Sequence, residues 1–400
     1  MMLRHLLKLI WQRKSRNLML SLEILLAFVL VFALAAFAAR YVQLQQLPTG
    51  FAYRDQWMVQ IRTGKPLVND AAIYDQLQRN LITLPEVKSV AFAALPVYEM
   101  SRRIGDYQRA DGTGPIRIDV QDASDQYGAT MDMRVTSGRW FSSADDGSDA
   151  TPVVINQLAA ERLFPGAAAA PVGKLFSDAS GDANPTRYRV VGVVEAYRSQ
   201  GEFMAPQPFM LPRFRPGVEK EAMTIIMLKL QPGTPRAFES ALSNRIKQLQ
   251  PQWSLVITPL TEARASMLSL QLVPLKIGAV IAAFLLVMVA FGLFGVLWQN
   301  TTQRIPELGL RRALGATSAS IYRQIVAEQF LLSSSAMLVG LVLLVQLPLT
   351  GVMGETLNWP VFWAAAALSA GVIYLLSLLS SLYPGWRAAQ LSPVQALHYE

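Results

Sequence analysis

The chain has 400 residues, of which 52% are hydrophobic and 16% are charged, and its formal net charge is +8. Because the apolar fraction is so high, an intrinsically disordered chain is excluded. The sequence contains no cysteine, so a disulfide scaffold, a thiolate zinc site and a cysteine nucleophile are excluded too. The two histidines, His5 and His398, stand near opposite ends. A Ser-His-Asp triad or a histidine metal site within residues 40–276 is therefore also excluded.

The N-terminal region combines a basic segment with an apolar one. Residues 1–17 carry a net charge of +5 and repeat leucine at helical spacing, which predicts either a cytoplasmic amphipathic helix or a basic flanking segment. Residues 18–39 form an apolar run in which Glu23 is the only charge. Ala36-Phe37-Ala38 also fits the pattern of small residues at a signal-peptide cleavage site. Since the run exceeds the roughly 7–15 apolar residues of a signal peptide, we interpret it as transmembrane helix 1.

Residues 40–260 are polar, mixed in charge and numerous enough to bury a core of their own. Short apolar runs alternate there with helical patterns, which indicates an α+β domain. The predicted strands are Trp57–Ile61, Ser89–Ala94, Val153–Ile155, Tyr188–Val194, Thr224–Leu230 and Leu255–Ile257. The predicted helices are Asp70–Leu84, Asn156–Phe164 and Pro235–Leu249. Residues 261–276 follow as a predicted stalk helix, for which an ordinary linker is the alternative.

Three further apolar segments have the roughly 20 residues that a membrane-spanning helix needs. Transmembrane helices 2, 3 and 4 are predicted at residues 277–298, 325–347 and 361–382. The two connecting loops and the C-terminal tail cover residues 299–324, 348–360 and 383–400. The predicted fold is thus a membrane protein with one plus three transmembrane α-helices and a large extracytoplasmic α+β domain between helices 1 and 2.

The distribution of Lys and Arg predicts the orientation of this chain in its membrane. The loop 299–324 has a net charge of +3, in addition to the +5 of residues 1–17. The positive-inside rule places both basic segments in the cytoplasm. Both termini are then cytoplasmic, whereas residues 40–276 and the short loop 348–360 lie outside.

The loop 299–324 contains a predicted short helix at residues 306–314. Pro306 suits the first helical turn, Gly315 can end the helix in a left-handed conformation, and Thr317 can cap the next helix. Leucines lie beside two arginines on this helix, and such a surface suits docking to another protein. The alternative is a connector that packs against its own membrane domain.

The sequence contains no phosphate-binding loop. Its Gly-Lys pairs, at 64–65 and 173–174, lack the Gly-x-x-x-x-Gly-Lys-Ser/Thr frame. We therefore expect no catalysis and no nucleotide or metal binding by this chain. The excess positive charge is accounted for by membrane topology, so we also expect no nucleic-acid partner.

Several stretches together resemble the membrane subunits of the MacB/FtsX/LolC class of ABC transporters. The loop reads QRIPELGLRRALGAT at residues 303–317, and the tail reads PGWRAAQLSPVQAL at 384–397. The outer domain contributes similar stretches at 138–141, 153–156, 163–165, 171–174 and 190–194. The resemblance covers nearly the whole chain, and the order and spacing of these stretches together make it specific.

The resemblance implies a dimer of such permease subunits, docked to two copies of an ABC ATPase that binds ATP and Mg. ATPase closure would move the membrane helices and change the shape of the outer domains, which is called mechanotransmission. The resemblance further implies export of a substrate from the inner (plasma) membrane of a bacterium, with a periplasmic adaptor, an outer-membrane channel and membrane lipid as further partners. The implied ATPase-docking coupling helix comprises Arg304, Glu307, Leu308, Gly309, Leu310, Arg311, Arg312, Ala313, Leu314 and Gly315.

This sequence departs from the family pattern in two respects. It contains no fused ATPase, so the ATPase is expected as a separate subunit, and Pro306 stands inside the coupling motif. The alternative function is a membrane-anchored sensor or receptor with an extracytoplasmic ligand-binding domain. A membrane enzyme is disfavoured by the scarcity of histidine and cysteine. The substrate, and the choice between a homodimer and a heterodimer, stay open at this point.

Overall fold

The computed structural model describes residues 14–64, 67–166, 170–179, 185–219, 221–351 and 357–390. Most of the predicted N-terminal amphipathic helix, the middle of the loop 348–360 and the end of the tail lie outside the described residues. The chain divides into two compact units. The helical unit comprises Met1–Gln43 and Leu272–Glu400, and the sheet unit comprises Leu44–Gln271.

The helical unit is built from long apolar helices. Its elements are α1 (Lys14–Gln45), α7 (Val273–Gln303), α8 (Ile305–Ala313), α9 (Ser318–Leu344), α10 (Gln346–Thr350) and α11 (Trp359–Gln390). Within the described ranges, four segments are long and apolar enough to cross a membrane: Met19–Gln45, Leu260–Gln303, Ser318–Thr350 and Trp359–Arg387. The fold class with one plus three transmembrane helices is thereby confirmed.

Helix α1 belongs to the core of the helical unit. It runs without a break through residues 36–38, where a signal peptide would be cleaved. Phe28 and Phe32 of α1 are buried in the same apolar core as Leu293 of α7 and Phe362 of α11. This packing favours a retained span over a signal peptide, because cleavage would remove one wall of the core.

Hydroxyl groups join α9 to α11. The Ser333 and Ser377 hydroxyls lie 2.7 Å apart, and those of Ser334 and Tyr374 lie 2.9 Å apart. An unpaired polar group in hydrocarbon is costly, so such bonds hold helices together within a bilayer. The serines of the third span therefore serve helix packing.

In its described residues, the sheet unit contains eleven strands and five α-helices. The strands are β1 (Gln56–Arg62), β2 (Val87–Ala93), β3 (Arg103–Gln108), β4 (Pro115–Val120), β5 (Val135–Gly138), β6 (Thr151–Asn156), β7 (Leu175–Ser177), β8 (Arg187–Val194), β9 (Phe209–Pro212), β10 (Ile225–Leu230) and β11 (Ser254–Pro259). The helices are α2 (Ala71–Ile82), α3 (Tyr127–Thr130), α4 (Gln157–Leu163), α5 (Phe238–Leu249) and α6 (Leu260–Gln271). The six predicted strands are all present.

The strands form two sheets. The first is antiparallel with the order β11-β1-β10-β2. The second has the order β3-β4-β9-β6-β8-β5, and β7 pairs with β8. Parallel pairs β4–β9 and β6–β8 make this second sheet mixed.

The central strands of both sheets are buried on both faces. In β1, Trp57 and Val59 belong to one apolar core with α2 and α5, whereas Met58 belongs to the core between the sheets. In β6, Val154 faces that same inter-sheet core, and Val153 packs with α4. Because successive side chains alternate between faces, strands with apolar residues on both faces produce a four-layer arrangement of helices, sheet, sheet and helix.

Helix α6 contributes to the inter-sheet core. It buries Leu260, Ala263 and Met267, which recur at the spacing of one helical face. The predicted stalk segment 261–276 falls on α6 and on the first turn of α7.

Candidate functional site

The candidate site is built around α8, the short helix between two candidate spans. Gly315 has φ +97°, and the Ala316 N–H donates to the Arg311 carbonyl at 3.0 Å, which is the Schellman ending of a helix. Thr317 caps α9 by accepting a bond from the Ser320 N–H. The predicted helix 306–314 is displaced by one residue, because Leu314 occupies the capping position and Ile305 the first turn.

The polar side of α8 is bound to α9. Arg311 donates to Glu307 at 2.6 Å and to Gln324 at 2.8 Å. Gln324 in turn donates to Glu328 at 3.0 Å, and Arg304 pairs with the same carboxylate at 2.9 Å. We call Arg304, Glu307, Arg311, Gln324 and Glu328 the polar clamp. It fixes α8 to the start of the third span, as the connector interpretation requires.

Part of the apolar side of α8 is buried and part of it is exposed. Ile305 is 5% exposed and Gly309 is buried. Leu310 and Leu314, one turn apart, are 58% and 80% exposed, and Ala313 beside them is exposed as well. We call Leu310, Ala313 and Leu314 the leucine face. The side chains of Leu308 and Arg312 lie outside the described residues.

Two members of the polar clamp were not predicted as site residues. Gln324 and Glu328 stand on α9, and Glu328 follows Arg304 by 24 positions. A charged residue within an apolar span is costly unless it is paired. Glu328, a carboxylate near the start of the third span, was thus the sequence signal for a paired charge. Its partner Arg304 could not be predicted, because the pairing depends on how two helices approach each other.

A second charged cluster lies in the sheet unit. Arg198 is 1% exposed and donates to the carbonyls of Leu44 at 2.9 Å and Glu202 at 2.8 Å. The Glu202 carboxylate accepts from Arg264 of α6, and the Arg264 guanidinium lies 4.6 Å from the centre of the Tyr53 ring. Burial lowers the pKa of Arg198, and the nearby Glu202 opposes that effect. We call Arg198, Glu202 and Arg264 the arginine cluster.

Among the described residues, no group of three or more His, Asp or Glu side chains is arranged to hold a metal ion.

Comparison with known proteins identifies two matched domains. The sequence model of the MacB-like periplasmic core domain matches residues 24–245. That of the FtsX-like permease C-terminal domain matches residues 279–393, which include α8 and α9. The first match alone covers more than half of the chain.

Three curated relatives illustrate the similarity. The pyoverdine export ATP-binding/permease protein PvdT of Pseudomonas syringae pv. syringae is 25% identical over 376 residues, covering 88% of this chain and 54% of PvdT. The macrolide export ATP-binding/permease protein MacB of Bdellovibrio bacteriovorus is 34% identical over 124 residues, covering 30% of this chain and 19% of MacB. The uncharacterized ABC transporter permease YknZ of Bacillus subtilis is 22% identical over 291 residues, covering 70% of each chain.

The chain spans 54% or less of the length of the PvdT and MacB relatives. The two domain matches and the four candidate spans nevertheless agree with each other in order and position. The chain therefore belongs to the MacB/FtsX-like ABC transporter permease family, as a multi-pass protein of the inner membrane.

Proposed function

We propose that the chain is the non-catalytic membrane subunit of an export-type ABC transporter, and that it couples ATP hydrolysis by a separate ATPase to movement of its sheet unit. In this proposal the ATPase binds ATP and Mg, two permease chains pair, and the sheet unit lies outside the cytoplasm. Export is supported by the names of the relatives, since MacB is a macrolide export protein and PvdT a pyoverdine export protein.

The leucine face carries this proposal. Leu310 and Leu314 leave an apolar surface exposed on a helix whose polar side is already fixed to α9. Exposed apolar side chains that are held rigidly are well suited to bind a partner, because little side-chain entropy is lost on docking. The polar clamp then gives that partner a firm connection to the third span.

This arrangement assigns different roles to the residues of the coupling helix. Leu310, Ala313 and Leu314 contact the ATPase, whereas Arg304, Glu307 and Arg311 hold the helix in place. Both interpretations of the loop are thus combined, since α8 is anchored on one side and open on the other.

The proposal is tested by changing the leucine face while leaving the polar clamp intact. We expect the double substitution Leu310→Glu and Leu314→Glu to abolish recovery of an ABC ATPase with the affinity-tagged full chain, because the apolar contact is replaced by two charges. The matched control is Val218→Glu, which changes a side chain that is 63% exposed in the sheet unit. Recovery is measured by mass spectrometry of the purified complex and by its ATP hydrolysis.

Two results would overturn the proposal. One is recovery of the ATPase with the double variant at the level of the unmodified chain. The other is the absence of any ABC ATPase from the unmodified complex. ATP hydrolysis by the purified chain alone would also contradict the non-catalytic role.

A further inference from the structure

A cluster of aromatic rings lies where α7, α9 and α11 approach the loop that contains α8. The rings of Trp298 and Tyr383 stack with centres 5.9 Å apart and planes 6° apart. Phe294 stacks on both at 6.2 Å, and Trp386 follows Tyr383 at 6.1 Å. Tyr383 and Trp386 are nevertheless 50% and 54% exposed. These large rings are therefore ordered by each other and remain available to a further molecule.

Part of this cluster forms a cleft between α9 and α11. The cleft has a volume of about 430 Å³ and is lined by Tyr322, Leu382, Tyr383 and Trp386. It is a shallow groove, open over most of its extent, and not an enclosed pocket. Gly385 borders the same side of α11, because a Cβ atom there would lie 2.9 Å from the Tyr322 ring. A glycine at this position thus allows the Tyr322 ring to pack closely against α11.

A positive charge lies beside the cleft, on the aromatic cluster that forms part of its wall. The Arg387 guanidinium lies 4.3 Å from the centre of the Trp298 ring, and stacking of this kind leaves its N–H groups free to donate. In the part of the chain that the structure describes, Arg387 has no carboxylate partner. Within the same ranges, the Tyr383 hydroxyl and the Trp386 indole N–H have no protein hydrogen-bond partner. An anion with an apolar portion would satisfy all of these groups.

The position in the chain identifies the ligand class. Tyr383 and Trp386 lie at one end of the candidate span Trp359–Arg387, and tyrosine and tryptophan at such ends mark the boundary between hydrocarbon and water. A molecule in the cleft would therefore have its apolar part in the bilayer and its charge at the headgroups. Basic pockets between membrane helices are known to bind anionic lipid headgroups.

We propose that this cleft binds one anionic phospholipid. An acyl chain packs against Leu382 and the rings of Tyr322 and Tyr383, while the phosphate accepts hydrogen bonds from Arg387 and the Trp386 indole. The cleft adjoins α9, the helix to which the polar clamp fixes α8, so a bound lipid would contact the element that holds the coupling helix. The site itself does not depend on the proposed function.

The proposal is tested with the full chain in nanodiscs that contain equal amounts of phosphatidylglycerol and phosphatidylcholine. Native mass spectrometry then counts the lipids that remain after gentle detergent release. We expect one phosphatidylglycerol to persist on the unmodified chain. We expect Arg387→Gln to reduce the preference for phosphatidylglycerol about fivefold, the effect of about 1 kcal/mol per basic residue at a membrane surface. Trp386→Ala should lose the retained lipid of both kinds.

The matched control is Trp363→Ala, which removes a 56% exposed tryptophan from the other end of α11 and should leave lipid retention unchanged. Circular dichroism confirms that each variant is folded. The proposal is overturned if all variants retain the same lipids, or if the unmodified chain shows no preference for phosphatidylglycerol. It is also overturned if a photoreactive analogue at position 386 cross-links to a second copy or to another protein and not to lipid.

Discussion

Arg198 shows how a single residue can join several parts of the sheet unit. Its guanidinium binds the Leu44 carbonyl at the end of α1 and the Glu202 carbonyl, while the Glu202 carboxylate reaches Arg264 on α6. In the described part of the chain, the Arg198 Nε and one Glu202 carboxylate oxygen have no protein partner. The cluster thus forms several hydrogen bonds, while two of its polar atoms remain without a protein partner in the described residues.

We expect Arg198→Met to destabilise the sheet unit by about 3 kcal/mol, because the Leu44 and Glu202 carbonyls would lose their hydrogen-bond donor in a buried position. Arg139→Met is the matched control, since Arg139 pairs with Asp145 but is 53% exposed in its side chain. An exposed pair contributes less than about 1 kcal/mol. Urea unfolding of the full chain in detergent, followed by near-ultraviolet circular dichroism, measures both. Equal losses in the two variants would contradict the assigned importance of burial.

Five buried tyrosines make the stability of the sheet unit depend on pH in alkaline solution. Burial raises the pKa of Tyr74 to about 12 and holds those of the other four above their usual value; the other four are Tyr98, Tyr107, Tyr127 and Tyr197. In the unfolded chain these phenols titrate near pH 10. A phenol whose pKa is higher in the folded state than in the unfolded state does not change the free energy of unfolding below about pH 10. Above about pH 10 the unfolded chain loses the proton first, so the free energy of unfolding falls as the pH rises.

We therefore expect the free energy of unfolding to be independent of these tyrosines up to about pH 10 and to decrease steeply beyond. Tyr74→Phe should reduce that slope, because one raised phenol pKa is removed. Phenolate absorbance and near-ultraviolet circular dichroism are recorded together during the titration. Ionisation of all tyrosines before any loss of the circular dichroism signal would contradict the assigned burial.

At the scale of elements, α8 and α9 are connected by charge and not by apolar packing alone. Arg304 and Gln324 both donate to the Glu328 carboxylate. One acidic side chain therefore binds the residue that precedes α8 and the glutamine that accepts from Arg311 of α8. Under the proposed function, this connection transmits motion from the docked ATPase to the third span.

We expect Glu328→Ala to keep the ATPase bound, since the leucine face is unchanged, but to reduce transport at least tenfold, because motion of α8 is no longer passed to α9. The exchange Arg304→Glu with Glu328→Arg should restore part of the activity by re-forming the ion pair. Transport by cells and ATPase recovery are measured in parallel. Loss of ATPase binding in Glu328→Ala would show instead that the clamp is required for docking.

The elements differ in how far the sequence could predict them. The end of α8 followed from Gly315 to within one residue, and the start of α9 followed from Thr317, because the effects of both residues on the backbone are local. Strand β3 was missed because its charged and glycine residues conceal the alternation, and its place is decided by pairing with β4. Strand β9 was missed because it is four residues long and ends in proline.

The candidate site was predictable to a similar extent. The helix and its arginines were visible in the sequence, but the separation into a polar clamp and a leucine face was not. That separation depends on α9 lying beside α8, which places Gln324 and Glu328 next to Arg311 and Arg304. Contacts between separate helices depend on their crossing geometry, which spacing along one chain does not encode.

At the scale of the whole molecule, the net charge is unevenly distributed. The loop 299–324 has an excess of three positive charges and residues 1–17 an excess of five, out of a total of +8. Under the positive-inside rule, this asymmetry predicts that α8 is cytoplasmic and that the sheet unit lies outside.

The absence of cysteine from the sequence makes this orientation directly testable. We expect a single cysteine at Ser148 of the sheet unit to react with a membrane-impermeant maleimide in intact spheroplasts. A single cysteine at Ala313 of the leucine face should react only after the membrane is permeabilised. The reverse pattern of labelling would invert the assigned topology.

The four-layer arrangement of the sheet unit has a mechanical consequence. Each sheet is packed between two apolar layers, so bending either one would open gaps in close-packed cores on both of its faces. The sheet unit should therefore resist internal bending and respond to an applied load as a rigid body.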